Sequence, residues 1–357
     1  MLIYIAHFAL ILLYGFLVKD KKKLVVLASL QTFLILALRA PTLGVDLDNY
    51  SGGFEYIKTL GFGDLLSRLH LVKTAELVSP YAYESGYTVI NWIIGKLGFG
   101  FHGFLVIYAG FCTFSVGRFI YKYCSEVWLG FILFVSLGFF EITFGILRQT
   151  LAMSILLFAI PFINKKKPFR FFLLCLLAFT VHRVAIILVP LYFISRIKLD
   201  LRRYVAILIC ELGLFAISPV LAKLVLEPLL HALGKTRYTV EFNMNMQVLL
   251  MFAIALLILL FTSFEDTIRE HEDNNMMLWM FLLSLALEVV GMYNDVVARA
   301  VYIPYMAAVV LVPSVLARYR HTGVVFIGKV ALTALAFVFM VYQLWGSEIT
   351  PYVAFFQ

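Results

Sequence analysis

The sequence predicts an all-α polytopic integral membrane protein, and three observations support that fold class. Of its 357 residues, 63% are hydrophobic and only 14% are charged. The mean hydropathy is +0.96, which is far too apolar for a water-soluble core of this size. Apolar runs recur along nearly the whole chain, and about 20 helical residues cross the hydrocarbon layer of a bilayer. We expect about 10 to 12 transmembrane helices, including a broken or re-entrant helix pair.

The predicted spans are the apolar runs that approach the length of a membrane crossing. In chain order they are Leu2 to Val18, Leu24 to Leu38, Phe101 to Arg118, Val127 to Thr143, Ile146 to Ile163, Tyr204 to Leu221, Val248 to Phe264, Met276 to Tyr293, Ala300 to Leu316 and Val325 to Trp345. The first run follows no basic segment and precedes no small-residue cleavage site, so we interpret it as a retained span rather than a signal peptide.

The segment Phe171 to Ile194 is exceptional because Lys and Arg clusters flank it on both sides, at 165–170 and at 196–203. Basic residues concentrate in cytoplasmic loops, and a single crossing would leave one of the two clusters outside. We therefore predict that the chain folds back at His182 and Arg183. Backbone at such a tip must be buried in protein or face a watery cavity, so this position is a candidate site.

The same topology places two polar stretches on the outer side of the membrane. The stretch 39–100 is the longest polar portion of the chain, and we interpret it as a periplasmic cap inserted after the second span. Within it, Tyr87 to Gly98 is apolar but too short to span, so we expect it at the membrane interface or dipping inward. The stretch 223–247 is interpreted as a second periplasmic loop. No internal repeat is visible, and we predict one transmembrane domain over 1–357.

The charge balance and the cysteines exclude several functions. The chain has 29 Lys and Arg residues against 21 Asp and Glu residues, a formal net charge of +8. Cytoplasmic loops rich in Lys and Arg account for this surplus, so we do not expect nucleic-acid binding. The four cysteines have no metal-ligand spacing and are interpreted as small core residues. We expect no cofactor and no bound metal.

Four arginines each stand at one end of an apolar stretch, and the predicted topology places all of them on the outer side: Arg39, Arg148, Arg183 and Arg299. An arginine at the edge of hydrocarbon loses hydration, so a negatively charged ligand is a natural partner. The pattern predicts an anion site, with a lipid-linked phosphate as ligand. For any one of these arginines taken alone, the alternative to an anion site is a side chain that extends to the lipid headgroups. Asp295 stands four residues before Arg299 and could pair with it, so Arg299 ranks below Arg148 and Arg183.

Three residues are candidates for a catalytic base: His182, Asp46 and Glu84. Histidine titrates near neutral pH, and His182 stands next to an arginine at the predicted turn, although a lone histidine in an apolar segment is usually a core residue. Asp46 and Asp48 resemble a metal-binding pair, but Asp46 could equally cap a helix or pair with Arg39. Glu84 precedes a short apolar helix, where capping competes with a role as base. We favour His182.

An ordered set of these residues resembles a known family. The set runs from Gly44, Asp46 and Tyr50 through Glu84, Gly86 and Tyr87 to Arg148 with Gln149, His182, and Arg299 with Tyr302. In order and spacing it is similar to the EpsG branch of the Wzy-type O-antigen and exopolysaccharide polymerases. Two positions depart from the family pattern: Ser85 replaces a frequent proline, and Arg183 follows the histidine where a small or aromatic residue is more usual.

The resemblance implies a polymerase of the bacterial inner membrane with a GT-C-type architecture of lipid-dependent glycosyltransferases and a periplasmic active site. It would join oligosaccharide repeat units carried on undecaprenyl diphosphate. From the residues themselves we expect an inverting displacement, because no second carboxylate is placed for a covalent intermediate, and a metal-independent one, because arginine can replace a metal at phosphate. We assign Arg148, Arg183 and Arg299 to the diphosphate, with Arg39 as a further candidate. The remaining substrate-binding candidates are Gln149, Tyr50, Tyr87, Asp295 and Tyr302.

Two alternatives use the same kind of cationic site. An O-antigen ligase would pass the glycan to a different acceptor, and a flippase or exporter would move the lipid-linked glycan without extending it. Transporters usually contain related halves, and no repeat is visible here. Besides its lipid-linked substrate and membrane lipids, the expected partners are a chain-length regulator and a flippase of the same pathway.

Overall fold

A computed structural model describes residues 1–69, 81–232, 242, 246–261, 272–317 and 321–356 of the chain. Within these residues the protein is helical throughout. The only pairing of β type among them is an isolated antiparallel bridge between Arg39 and Ala354. The all-α prediction is therefore confirmed for the described part of the chain.

The helices are numbered here in chain order. They are α1 Leu2–Leu17, α2 Lys21–Ala37, α3 Leu47–Thr59, α4 Phe62–Ser67, α5 Ser85–Lys96, α6 Phe101–Tyr123, α7 Val127–Ser136, α8 Phe139–Gly145, α9 Leu147–Ala159, α10 Pro161–Asn164, α11 Pro168–Val181, the 3₁₀ helix Arg183–Leu188, α12 Leu191–Ile194, α13 Leu201–Leu221, the π-helix Ala222–Leu226, α14 Glu227–Ala232, α15 Met246–Phe261, α16 Glu272–Gly291, α17 Asp295–Tyr305, α18 Ala308–Ala317 and α19 Thr322–Leu344.

Five helices of the described residues are long and apolar enough to cross a membrane: Phe101–Tyr123, Leu147–Asn164, Leu201–Leu226, Asp273–Gly291 and Thr322–Leu344. The number rises to seven if each of two bent helix pairs forms one span. These helices identify a membrane protein. The larger number of about 10 to 12 spans and the GT-C architecture stay predictions.

Two of the predicted spans are bent in the structure, a feature that the sequence did not indicate. Between Val127 and Gly145 the helix axis bends by 54°. Gly138 lies at the break with a φ of 86°, a backbone conformation that glycine adopts without steric cost. The second bent pair, Val297–Tyr305 with Ala308–Ala317, turns by 40°, and Pro304 lies just before its break. Proline removes a helical hydrogen bond and favours such a kink.

The predicted interruption at His182 is present. Helix α11 ends at Val181, and His182 has extended backbone angles of −156° and 125° before the 3₁₀ helix Arg183–Leu188 begins. The break in the helix is confirmed at the expected residue. The re-entrant path through the membrane stays a prediction.

The chain forms two compact units, a division that the sequence analysis did not predict. The first unit is Met1–Val189 with Val330–Gln357, and the second is Pro190–Lys329. In the first unit α6 packs along α2, α9 lies against both α6 and α11, and α5 contacts α3 and α11. Gly117 of α6 faces Ser29 of α2, and small residues of this kind let two membrane helices approach closely.

The second unit is built around α16, which packs against α13, α15, α17 and α18. The side chain of Asn275 near its start accepts a hydrogen bond from the Leu199 amide at 2.8 Å and donates to the Ser195 carbonyl at 2.7 Å. Tyr204 of α13 donates to the Ala255 carbonyl of α15 at 3.1 Å. Side chains thus satisfy backbone groups between helices, as an apolar environment requires.

Candidate functional site

Glu84 is the centre of a polar cluster in the first unit. It is the N-cap residue of α5, but its side chain makes no capping hydrogen bond. One carboxylate oxygen, Oε2, lies 2.6 Å from Nη1 of Arg148, and the other, Oε1, lies 3.3 Å from Nδ1 of His182. The carboxylate therefore bridges the guanidinium of Arg148 on α9 and the imidazole of His182, which directly follows α11. We call Glu84, Arg148, His182 and Tyr50 the Glu84 cluster.

Arg148 is the second residue of α9 and makes two directional contacts in the cluster. Besides the ion pair with Glu84, its Nε donates to the Tyr50 hydroxyl at 3.3 Å. Its guanidinium carbon lies 5.1 Å from the centre of the Tyr83 ring and 5.7 Å from that of Tyr50, within cation–π range. The Arg148 side chain is 24% exposed, so a ligand can still reach it.

His182 reaches the cluster because α11 stops one residue earlier and its backbone becomes extended. The Glu84 carboxylate can only accept hydrogen bonds when it is ionised, so Nδ1 of His182 must be the donor in this contact. The other ring nitrogen, Nε2, makes no hydrogen bond to any described residue, and the side chain is 20% exposed. This geometry leaves Nε2 free to accept a proton from a ligand.

The electrostatics keep Glu84 ionised. Burial raises its pKa, but the hydrogen bond from His182 and the positive charge of Arg148 outweigh that effect and bring the pKa down to about 2. At neutral pH the carboxylate is therefore charged. It can hold the imidazole in one tautomer and stabilise the imidazolium that forms when His182 takes up a proton.

Tyrosines form one wall of the cluster. The rings of Tyr50, Tyr83 and Tyr87 contact one another at centroid distances of 5.3 to 5.8 Å. Tyr87 is fully buried, and Tyr83 is half-buried and donates to the Asn49 carbonyl at 2.7 Å. Burial raises the pKa of both Tyr83 and Tyr87, so these phenols stay neutral. The sequence predicts Tyr50 and Tyr87 as site residues but not Tyr83, whose position directly before Glu84 was an available signal.

Two glycines bring Tyr50 and Arg148 together. A Cβ atom on Gly44, which has a φ of 137°, would lie 2.6 Å from the Phe144 carbonyl oxygen. A Cβ atom on Gly145 would lie equally close, at 2.5 Å, to the Val45 amide nitrogen. The turn before α3 therefore rests directly on the backbone between α8 and α9, a contact that only glycines permit. This contact fixes Tyr50 of α3 beside Arg148 of α9.

Arg39 occupies a different environment, although the sequence analysis grouped it with Arg148. Its side chain is fully buried and donates one hydrogen bond, from Nη1 to the Thr143 carbonyl at 3.2 Å. The guanidinium lies over the rings of Phe144 and Tyr108 at 5.1 and 5.9 Å. Nε and Nη2 have no hydrogen-bond partner among the described residues. Burial lowers its pKa to about 10, so the group remains charged at neutral pH.

The C-terminal segment helps to close this position. The Ala40 amide donates to the Val353 carbonyl at 2.8 Å, and the Phe355 amide donates to the Leu38 carbonyl at 2.9 Å. These bonds form the short bridge beside Arg39. A substrate headgroup cannot reach Arg39 in this conformation, so we leave it out of the proposed diphosphate site.

Three further predicted residues of the first unit have distinct positions. Arg183 begins the 3₁₀ helix next to His182 and is half-buried, without a hydrogen bond or ion pair to any described residue. Gln149 is fully buried. Asp46 is exposed at the start of α3 with a φ of 62°, and it neither caps that helix nor pairs with Arg39. Both structural alternatives considered for Asp46 are therefore absent.

The remaining predicted residues belong to the second unit. Arg299 is exposed and Tyr302 is half-buried, and both lie on α17. Asp295 begins the same helix, but its side chain is outside the described residues, and so is the proposed pair with Arg299. The part of the predicted 223–247 loop that the structure describes includes the helix Glu227–Ala232. Residues 70–80 of the predicted cap are not described.

An apolar groove lies beside the Glu84 cluster, between α5, α6, α9 and α11. Its volume is about 520 Å³, and its wall consists almost entirely of aliphatic and aromatic side chains. Residues next to the cluster in sequence line it: Ser85, Gly86 and Val181. Among the described residues, no three His, Cys, Asp or Glu side chains lie together in a way that could hold a metal ion.

Comparison with known proteins places this chain in a family. The model of the EpsG family matches residues 22–354, which is nearly the whole chain and includes every residue of the Glu84 cluster. No curated protein and no solved structure matches the chain. The match confirms the resemblance found in the sequence. The chain belongs to the EpsG family of Wzy-like polymerases and is a membrane protein of the polysaccharide-polymerase type.

Proposed function

We propose that this protein joins oligosaccharide repeat units carried on undecaprenyl diphosphate into a polysaccharide, at the periplasmic face of the bacterial inner membrane. The observation that supports the proposal most directly is the bridging carboxylate of Glu84, which holds a histidine and an arginine in one accessible cluster. Glycosyl transfer from a diphosphate needs a base for the attacking hydroxyl and a cation for the leaving group.

His182 is the proposed base. Its Nδ1–H group points to Glu84, so Nε2 can take the proton of the acceptor hydroxyl as that oxygen attacks the anomeric carbon of the donor glycan. The bond between the anomeric carbon and the diphosphate oxygen breaks, and undecaprenyl diphosphate leaves with the electron pair. A single displacement of this kind inverts the anomeric configuration. Glu84 positions His182 and stabilises its protonated form.

Arg148 is the proposed ligand of the departing diphosphate. Its Nη1 is held by Glu84 and its Nε by Tyr50, which fixes the plane of the guanidinium. Nη2 makes no hydrogen bond to a described residue and is the atom we assign to a phosphate oxygen. A fixed donor that faces developing negative charge stabilises the transition state more than the ground state.

Because Glu84 offsets the charge of Arg148, a second cation is needed for a diphosphate. We assign this role to Arg183, which is half-buried and adjacent to His182 in the chain. The assignment of Arg299, which belongs to the second unit, stays a prediction from the sequence. A reaction that depends on these guanidinium groups should continue in excess chelator. Loss of extension in chelator, with recovery on addition of a divalent ion, would instead favour Asp46 and Asp48 as metal ligands.

The experiment is reconstitution of the purified protein in vesicles with a repeat unit linked to undecaprenyl diphosphate. We expect lipid-linked products with a ladder of added repeat units, and no ladder from the His182→Ala variant. Transfer of preformed polymer to a different lipid acceptor would identify a ligase. Movement of labelled lipid-linked glycan across the bilayer without extension would identify a transporter.

A further inference from the structure

We infer that the apolar groove between α5, α6, α9 and α11 holds the first isoprene units of the donor's polyprenyl chain, with the diphosphate at the Glu84 cluster. The inference rests on the proposed function, which requires a lipid-linked donor. It adds a binding site for the lipid part of that donor to the site for its headgroup.

Several residues that line the groove are neighbours of cluster residues in the chain. Ser85 and Gly86 follow Glu84 on α5, Val181 precedes His182 on α11, and Leu151 lies one helical turn after Arg148 on α9. Three of the four walls of the groove therefore belong to helices that also supply a cluster residue. For a ligand with its phosphate at Arg148, we therefore place the first part of its tail in the groove.

A glycine permits the close approach of two of these walls. A Cβ atom on Gly86 of α5 would collide with the side chain of Thr180 on α11 and lie 2.9 Å from the Thr180 carbonyl oxygen. This contact joins the end of α11 to the start of α5. It holds the polar contact between His182 and Glu84 next to the apolar wall.

The chemistry of the wall selects the occupant. The groove extends past Ile107, Phe111 and Ile155, and it offers few polar groups. A peptide or a sugar would leave its own polar groups without partners there, which is costly in an apolar site. A branched hydrocarbon has no such groups. The volume of about 520 Å³ lies within the usual range for ligand sites and accommodates part of a polyprenyl chain.

Charge complementarity favours a polyprenyl diphosphate over an ordinary membrane lipid. Within the cluster the carboxylate of Glu84 offsets the guanidinium of Arg148, and the half-buried Arg183, next to His182 in the chain, adds a further positive charge. A diphosphate carries more negative charge than the single phosphodiester of a phospholipid. Electrostatics therefore select the headgroup, while the groove selects the hydrocarbon.

Two neighbouring leucines on α11 provide a matched pair for the test. Leu177 lines the groove and is 50% exposed, whereas Leu176 does not line it and is 53% exposed. The experiment compares Leu177→Trp with Leu176→Trp, using donors whose diphosphate carries the same repeat unit and either an undecaprenyl tail or only a methyl group. For Leu177→Trp we expect the KM for the undecaprenyl donor to rise about tenfold or more, with turnover of the methyl donor unchanged. Leu176→Trp should match the wild type with both donors. Equal effects of the two substitutions, or equal effects on the two donors, would overturn the inference.

A binding measurement separates this inference from the proposed function. Undecaprenyl diphosphate with a photoreactive group in its tail is crosslinked to the wild-type protein, and the labelled peptides are mapped. Labelling of α5 and α11 that unlabelled undecaprenyl diphosphate prevents, and phosphatidylglycerol does not, supports the groove even if no polymer forms. Labelling elsewhere, or equal competition by phosphatidylglycerol, would refute it.

Discussion

The surroundings of Arg148 and of Arg39 show how differently one fold can use two arginines with similar sequence contexts. Each lies at the boundary of an apolar segment, and each contacts aromatic rings at 5 to 6 Å. Arg148 also has an ionised partner, a phenol and partial exposure. Arg39 has one carbonyl partner and no exposure.

The difference shows that an arginine at a membrane boundary does not by itself indicate an anion site. A guanidinium that contacts a carboxylate and a phenol, with an atom left for a ligand, can act on a substrate. A guanidinium enclosed by rings and backbone is part of the packing. Accessibility and partners decide between these roles, and both depend on tertiary structure.

The strongest test of the comparison removes the base that accompanies Arg148. His182→Ala should lower turnover by about 10³-fold, because general base catalysis contributes rate enhancements of this order. The measurement is polymer formation from a lipid-linked repeat unit in vesicles. His321→Ala changes an exposed histidine and serves as control. Near-normal turnover of the His182 variant would remove this residue from the chemistry.

Glu84→Gln should have the next largest effect, with turnover reduced by about 10²-fold. The amide keeps the size of the side chain but loses the charge that orients and stabilises His182. Glu126→Gln is a matched control, since Glu126 is also an N-cap residue without a capping hydrogen bond. If both variants polymerise at the wild-type rate, the bridging carboxylate has no role in the reaction.

Arg148→Lys keeps the positive charge but loses the planar fork that contacts Glu84 and Tyr50 together. We expect kcat/KM to fall at least about tenfold while the protein still inserts and folds. Arg118→Lys is the control, because Arg118 is also half-buried over an aromatic ring, that of Phe158. An unchanged distribution of polymer lengths in the Arg148 variant would argue against its contact with the diphosphate.

Arg39→Met should leave the polymerase activity near that of the wild type. Methionine fills part of the same volume, and its introduction removes the cost of burying a charge that has no ionic partner among the described residues. The measurements are polymer formation and the thermal unfolding midpoint in detergent. A variant with normal thermal stability but no activity would return Arg39 to the substrate site and abolish the contrast with Arg148.

The smallest expected effect is on the pH dependence of stability. The pKa of Glu84 is lowered from 4.5 to about 2 in the folded protein, so its ionised form stabilises the fold. This stabilisation is complete above pH 4.5 and disappears as the pH falls towards 2. The unfolding midpoint of the wild type should therefore exceed that of Glu84→Gln at pH 6, and the difference should shrink between pH 4.5 and 3. A difference that is constant over this range would contradict the ion pair.

The members of the cluster could be predicted from the sequence, but their contacts with one another could not. Glu84, Arg148 and His182 were each marked by residue type and by position at the end of an apolar run. Their assembly depends on contacts such as that of Gly44 with Phe144, which join segments about one hundred residues apart. Periodicity and charge counting describe only neighbours along the chain, so they could not show that Glu84 bridges the other two.

Composition and hydropathy by themselves determined that this is a helical membrane protein, because an apolar chain must satisfy its backbone hydrogen bonds internally within a bilayer. The ordered residues also determined the family. Only the tertiary structure decided that the Glu84 side chain contacts Arg148 and His182 instead of capping α5. It also decided that Arg39 is enclosed and that a groove lies beside the cluster. The physical reason is that burial and hydrogen-bond partners arise from packing between distant segments, which no local pattern specifies.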